Sequence, residues 1–495
     1  MTGWISKAIT YAAFLVVASA CVDEKIIFQD RELFEAPLTE AQGFLGYSDQ
    51  EDKLTVCGNC HVGVQVEWNE TAHSGAWAGL EDSGHSQQFC EGCHTTNDLG
   101  NALETPAGYN AAPEERYHDV QCESCHNAGL AHVTNPDADP KPLAMAAVGL
   151  ALEGGCGQCH SGNHHGFTDD WEQSPHATVV SFAADREGCT NCHSGEGALT
   201  AWGVNADYLE KAEVGVGTGN HLAITCVVCH DPHGSPNDAQ LRFPVSTPDI
   251  QTNLCARCHN RRTVPDPGSS HGLRPHAPEA ALLEGDVGWF PPGLEIDRGQ
   301  IVATHGTEQN PSLCATCHVN AFTVTDAETG DFVFNATGHL FKAIPCLDGE
   351  GIPTAEDCAM DTDVRSFAGC AGGGCHGSET TAFAALATAT VRMEALVDQL
   401  HRMLEAVDAN LEAPGGVIDA TDPTFTTAEG AFFNMALAEF PERDRPDDRL
   451  LYAGSAVHNP FLMEQLLIAS ISAVRDEYGL LVPPALVLTP LLPGN

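Results

Sequence analysis

Eight times between residues 57 and 318, two cysteines stand three apart with a histidine directly after the second. The sets are Cys57/Cys60/His61, Cys90/Cys93/His94, Cys122/Cys125/His126 and Cys156/Cys159/His160, then Cys189/Cys192/His193, Cys226/Cys229/His230, Cys255/Cys258/His259 and Cys314/Cys317/His318. Two thiols at this spacing bond the two vinyl groups of one porphyrin, and the adjoining imidazole reaches the iron. This is the attachment chemistry of c-type haem. Paired cysteines also build zinc sites, but zinc needs two pairs per site and no histidine directly after each. Structural disulfides require no histidine either. The spacing therefore predicts eight covalently held haems.

A ninth set is stretched: Cys370-Ala-Gly-Gly-Gly-Cys375-His376. Its glycines give the loop freedom to bulge and still present both sulfurs, so nine haem c groups are expected. The competing reading is a disulfide or an unused pair. Cys346 and Cys358 precede no histidine and lie in a Gly/Pro/Asp-rich stretch. A disulfide between them is expected, with a more distant role for one of them in the His376 site as the other reading.

Fifteen of the 24 histidines fall outside the nine motifs, and there are only seven methionines. Histidine is thus the expected second axial ligand, and bis-His ligation implies low potentials and closed iron. The candidates with the best local context are His73, His132, His164 (or its neighbour His165), His176, His221, His233, His276, His305, His339 and His458. His85, His118, His271 and His401 read as surface or hydrogen-bonding residues. Sequence alone does not match a distal histidine to its motif.

Residues 57–133 resemble the tetrahaem cytochrome c family associated with hydroxylamine oxidation. The matching pieces are Trp68-Asn-Glu-Thr-Ala-His73-Ser-Gly-Ala-Trp77, Cys90-Glu-Gly-Cys-His-Thr-Thr, Val120-Gln-Cys-Glu-Ser-Cys-His126 and Gly129-Leu-Ala-His132. The resemblance implies His73 and His132 as distal ligands and an electron-carrying role. It covers about 80 residues and extends neither to the ninth motif nor to the total haem count.

The elements that position these residues follow from the rest of the chain. Residues 1–20 read as an export signal: Lys7, an apolar run from Ala8 to Val17, then Ala18-Ser-Ala20 before Cys21. Ala18-x-Ala20 fits an ordinary signal-peptidase site. Val17-Ala-Ser-Ala-Cys21 resembles a lipoprotein box, which is favoured because Cys21 has no other partner. Residues 21–52 form an acidic arm, 53–133 a three-haem module and 134–325 a five-haem module. Residues 326–385 carry the ninth motif and the disulfide, and 386–495 are haem-free. In that last region Met393, Leu396, Val397, Leu400, Met403, Leu404 and Val407 fall at helical spacing within 381–410. Further helices are expected over 427–440 and from Asn459/Pro460 to Gly479. The apolar, Pro-rich tail from Val482 reads as a segment that docks on a neighbour. The expected fold is mainly α with extensive loops, little sheet, stacked haems as core and a C-terminal helical region. Roughly 50 residues per haem are too few to wrap each ring separately.

The formal charge of −46 becomes −47 once Lys7 is removed. It excludes nucleic acid as a partner and favours solubility or basic partners. The sequence contains no C-x-x-C-K motif, so it reads as a carrier for respiratory or extracellular electron transfer. The expected place is the periplasm, or the outer membrane or cell surface through a lipid at Cys21. Expected partners are redox proteins or an extracellular acceptor, with a homo-oligomer or filament as a further form. A reductase or dehydrogenase of a small nitrogen or sulfur compound is the competing reading, and it requires one open iron.

Overall fold

The structure, a computed structural model, describes residues 42–101, 103, 105–139, 141–148, 154–204, 207–247, 249, 251–269, 271–296, 304–306, 310–372, 375–439, 453–483 and 485–491. The export segment, Cys21 and the arm up to residue 41 lie outside these. The described residues belong to one compact unit.

The fold is mainly helical with long loops. Sheet among the described residues is confined to three two-stranded antiparallel pairs: β1 (Tyr47–Asp49) with β2 (Leu54–Thr55), β3 (Phe322–Thr325) with β4 (Phe332–Ala336), and β5 (Cys346–Leu347) with β6 (Pro353–Thr354). The expected disulfide joins Cys346 to Cys358.

The arm read at 21–52 does not run free to its end. Phe44 and Leu45 are fully buried. The buried Glu123 carboxylate accepts from Leu45 N (2.7 Å), Gly46 N (2.9 Å) and Gly129 N (2.7 Å). Tyr117 donates its hydroxyl to Phe44 O at 3.0 Å. Residue 123 sits between the third motif's cysteines, so this segment is tied to the haem-attachment backbone. Contacts also run across the module boundaries drawn from sequence, as the histidine pairs below show.

The largest apolar core lies in the C-terminal helices. α1 (Glu379–Val407) buries Met393, Leu396, Leu400 and Leu404. It packs with α2 (Thr427–Ala438), α3 (Ala453–His458) and α4 (Pro460–Tyr478). Local chemistry sets the helix ends. Ser378 caps α1 by accepting from Thr381 N, and Thr426 with Glu429 forms a capping box on α2. Asn459 caps α4 ahead of Pro460, and Gly479 ends it at φ 66°. α1 starts slightly earlier and stops earlier than its periodicity predicts. Asp408 leaves the helix and turns its carboxylate to Val417 N and Ile418 N.

This core reaches back to residues 273–289. Asn434 accepts from Trp289 N and donates to Trp289 O, both at 2.7 Å, and donates to Ser470 Oγ at 3.0 Å. Position 430 must be glycine because a Cβ there would sit 2.2 Å from the Trp289 indole. Away from these helices the buried apolar clusters are small, such as Phe44/Ala107/Tyr117 and Ala198/Leu199/Leu222/Val228. The tail read as docking on a neighbour docks on its own chain. Arg392 Nη2 donates to Val487 O (2.8 Å) and Thr489 O (3.2 Å), and Leu491 N donates to Glu464.

Arg392 and Glu464 form a buried ion pair at 2.6 Å. Removing one partner leaves a buried charge uncompensated, which costs about 3–5 kcal/mol. Arg392→Met is therefore expected to destabilise the C-terminal helices by about that amount. Denaturant unfolding followed by far-UV circular dichroism checks it, while the haem content stays unchanged.

Candidate functional site

The regular motifs sit on short helical turns. His61 N donates to Cys57 O (2.9 Å), His160 N to Cys156 O (2.9 Å), His230 N to Cys226 O (2.8 Å) and His259 N to Cys255 O (3.0 Å). One such turn brings residues i, i+3 and i+4 to the same face. Both thiols and the imidazole of a motif thus point one way. The ninth motif departs from this: its short helix spans Ala368–Ala371, and Cys375 N approaches Gly372 O at 3.4 Å.

Eight motif histidines each face one histidine from outside the motifs. The ring centroids lie 6.3 Å apart in His61/His132, 6.1 Å in His126/His233, 6.1 Å in His160/His73 and 5.9 Å in His193/His276. They lie 6.3 Å apart in both His230/His339 and His259/His176, 6.2 Å in His318/His458 and 6.1 Å in His376/His305. Metal–imidazole bonds run about 2.0–2.1 Å, so two of them in line, with half a ring beyond each, put centroids roughly 6 Å apart. The separation is too long for ring stacking contact and fits one iron between the rings. The residues present therefore suit haem iron.

Hydrogen bonds fix the tautomer. Nδ1–H of His94 donates to Ala76 O, His126 to Pro142 O and His230 to Ala239 O, all at 2.7 Å. His318 donates to Phe341 O at 2.9 Å and His305 to Val457 O at 2.9 Å. Each bond leaves Nε2 unprotonated and aimed away, as metal ligation requires. Burial pushes His160, His176, His339 and His458 down to about 4, and lowers His73, His126 and His318 as well. These imidazoles are neutral near pH 7, with a lone pair free for a metal.

Two candidates are placed elsewhere. His221 donates Nδ1–H to Glu196 Oε1 at 2.7 Å, with Asp185 at 3.6 Å, and faces no motif histidine. His164 stacks on Phe332 with centroids 4.6 Å apart. The adjacent His165 lies 6.4 Å from His160 and within electrostatic reach of His94. No ring among the described residues faces His94 at the spacing of the eight pairs. Of the weaker candidates, His118 stacks on Trp77 at 3.8 Å and His401 pairs with Glu405 at 3.7 Å.

The motifs adjoin one another through their thiols. Cys57 lies beside Cys122, Cys93 beside Cys159, Cys156 beside Cys226, Cys192 beside Cys258 and Cys255 beside Cys314. Longer approaches link Cys125 to Cys156, Cys229 to Cys258 and Cys317 to Cys375. Numbered by sequence, the motifs form a file 1–3–4–6–7–8–9, with motif 2 attached at 4 and motif 5 at 7. Nothing in the linear spacing announced this order.

The motif cysteines differ in exposure. Most motif cysteines are partly buried, but Cys60 is exposed, as are Cys125 and Cys375. Cys60 closes the turn Cys57–Asn59 on its C-terminal side, with its N–H bonded back to Cys57 O. The helix that follows, Val62–Asn69, turns Val62 and Val66 to solvent. Cys57, at the start of the turn, is the thiol of this motif that faces a neighbour, Cys122. The pairing of Cys60 with Cys57 for attachment thus rests on their spacing along one turn and not on burial.

A family described as cytochrome c554 and c-prime matches residues 56–127, spanning the first three motifs. A family described as a doubled CXXCH motif matches residues 220–263, spanning the sixth and seventh. The chain is a multihaem c-type cytochrome. Its covalently held haem c serves electron transfer. The solved structure titled "Crystal Structure of Outer Cell Wall Cytochrome OcwA" is similar with a TM-score of 0.48 at 18% identity, over 80% of this chain and 78% of that one. No curated protein matches the sequence.

The loop that carries His339 is held by Asp170, which accepts from Thr337 N (2.8 Å) and Thr337 Oγ1 (2.7 Å). Hydrogen bonds to a charged group contribute about 1.5–3 kcal/mol each. Asp170→Ala is expected to destabilise the protein by about 3 kcal/mol, read as a lowered denaturant midpoint. It is also expected to broaden the low-spin EPR signal of one centre as His339 loses its fixed position.

Proposed function

We propose that the protein is an electron conduit of the cell envelope with nine haem c groups, eight of them ligated by two histidines. The eight imidazole pairs at iron-spanning distance support this reading most directly. Haem, when bound, takes up and releases one electron at its iron. The chain's residues do the rest. The eighteen motif cysteines tether the rings. Motif histidines bind one face, and His132, His233, His73, His276, His339, His176, His458 and His305 the other. The thiol contacts set the order along which electrons pass, with motif 1 at one end of the file and motif 9 at the other.

The export segment and Cys21 support a periplasmic or outer-membrane/cell-surface lipoprotein. The strongly acidic chain suits a basic redox partner or a cationic acceptor outside the cell. One observation favours a second reading. His94 has no facing imidazole among the described residues, so the second motif is where an open iron, and with it reduction of a small nitrogen or sulfur compound, would be found.

Pyridine haemochrome analysis of the matured protein is expected to give nine haems. Cys370→Ala with Cys375→Ala is expected to give eight. EPR of the oxidised protein is expected to show low-spin iron in at least eight centres. A high-spin signal from one centre that shifts on adding nitrite or hydroxylamine would establish the enzymatic reading. High-spin iron in several centres would defeat the conduit. His276→Met is expected to raise the potential of one haem, since Met in place of His does so, and a spectroelectrochemical titration reads it.

A further inference from the structure

The outer nitrogens of six paired or motif imidazoles donate to backbone carbonyls: Ala76, Pro142, Ala239, Thr337, Phe341 and Val457. His259 differs. Its Nδ1 faces carboxylate oxygen Oε2 of Glu279 at 3.5 Å. That oxygen is buried and accepts no hydrogen bond of normal length from the described residues, so His259 Nδ1 at 3.5 Å is the donor that faces it.

The placement is built into the backbone. Ala280 N donates to His259 O at 3.0 Å, and Arg261 N donates to Ala277 O at 2.9 Å. Arg261 and His276 form a β-bridge. Glu279 opens a short helix, Glu279–Glu284, whose Leu282 and Leu283 are buried. Asn459 holds that helix by donating to Leu282 O at 3.1 Å. The strap that carries His276 to face His193 thus also sets Glu279 against His259. Arg257, the cation within the same motif, stacks its guanidinium on Phe243 at 3.4 Å.

We propose that Glu279 is a positioning residue that lowers the reduction potential of the iron held by His259 and His176. This rests on the ligation proposed above. A carboxylate acceptor draws the Nδ1 proton more strongly than a carbonyl does and makes the imidazole a stronger electron donor. That stabilises the oxidised iron. The carboxylate's own charge acts in the same direction. The effect falls on motif 7, where the branch through Cys192 joins the file. It makes the junction a step that electrons cross rather than a place where they rest.

The test is a spectroelectrochemical titration of the fully loaded protein carrying Glu279→Gln, which keeps the side chain's shape and removes its charge. One haem's share of the reduction curve is expected to move to higher potential, with the other shares unmoved. Glu279→Asp, which withdraws the carboxylate from Nδ1, is expected to give a smaller shift in the same direction. An unmoved curve, or an equal shift of every haem, would overturn the proposal. If the Gln variant loses a haem, the Asp variant carries the test, and an unmoved curve there overturns the proposal equally. The haem count and EPR of the unsubstituted protein separate the two readings. Missing haems or high-spin iron in several centres there would strike at the ligation itself, whereas at least eight low-spin centres with an unmoved titration would strike at Glu279 alone.

Discussion

Everything in this structure answers to one spacing, about 6 Å between the centroids of two facing imidazoles. A motif supplies one imidazole of each pair within a single turn. The other must come from elsewhere in the chain, and it often comes from far away. His126 is met by His233, His230 by His339 and His318 by His458. Each pair therefore brings together segments that lie far apart in the chain. The small apolar clusters outside the C-terminal helices are consistent with a scaffold that relies on such links and on the rings themselves for its core.

Burial lowers several of these imidazoles, and hydrogen bonds turn them correctly. Burial alone would leave the tautomer undecided, and the carbonyls of Ala76, Pro142, Ala239 and Phe341 settle it by taking the Nδ1 proton. Pro142 and Phe341 lie in loops, whereas Ala76 opens a short helix, Ala76–Asp82. Glu279 departs from this pattern, and it lies where two lines of motifs meet.

The C-terminal helices solve a different problem. They hold no regular motif, yet their apolar core is the largest in the molecule. Two pairs depend on them. His458 ends α3 and faces His318, and Val457 O takes the proton of His305, which faces His376. A well-packed helical body thus fixes the far end of the motif file, while a buried ion pair and the docked tail secure the body itself.

Much of this was legible in the residues. Cysteine and histidine spacing identified the attachment chemistry, because one helical turn is a local property and needs no tertiary contact. The excess of histidine over methionine pointed to imidazole on both faces. The caps of α4, Asn459 with Pro460 and Gly479, were readable for the same local reason. Other features were not. His221 and His164 looked as suitable as His233 and His339, yet one is bound to Glu196 and the other lies on Phe332. Cys60 and Cys93 hold the same place in their motifs, yet Cys60 is exposed and Cys93 lies beside Cys159. Which histidine meets which motif, the branched order of the thiols and the approach of Glu279 to His259 depend on segments brought together across tens to more than a hundred residues. The sequence by itself determined what each motif can bind. Only the tertiary structure decided which motifs are neighbours, because adjacency here is set by loop paths and long-range packing that leave no periodic trace in the chain.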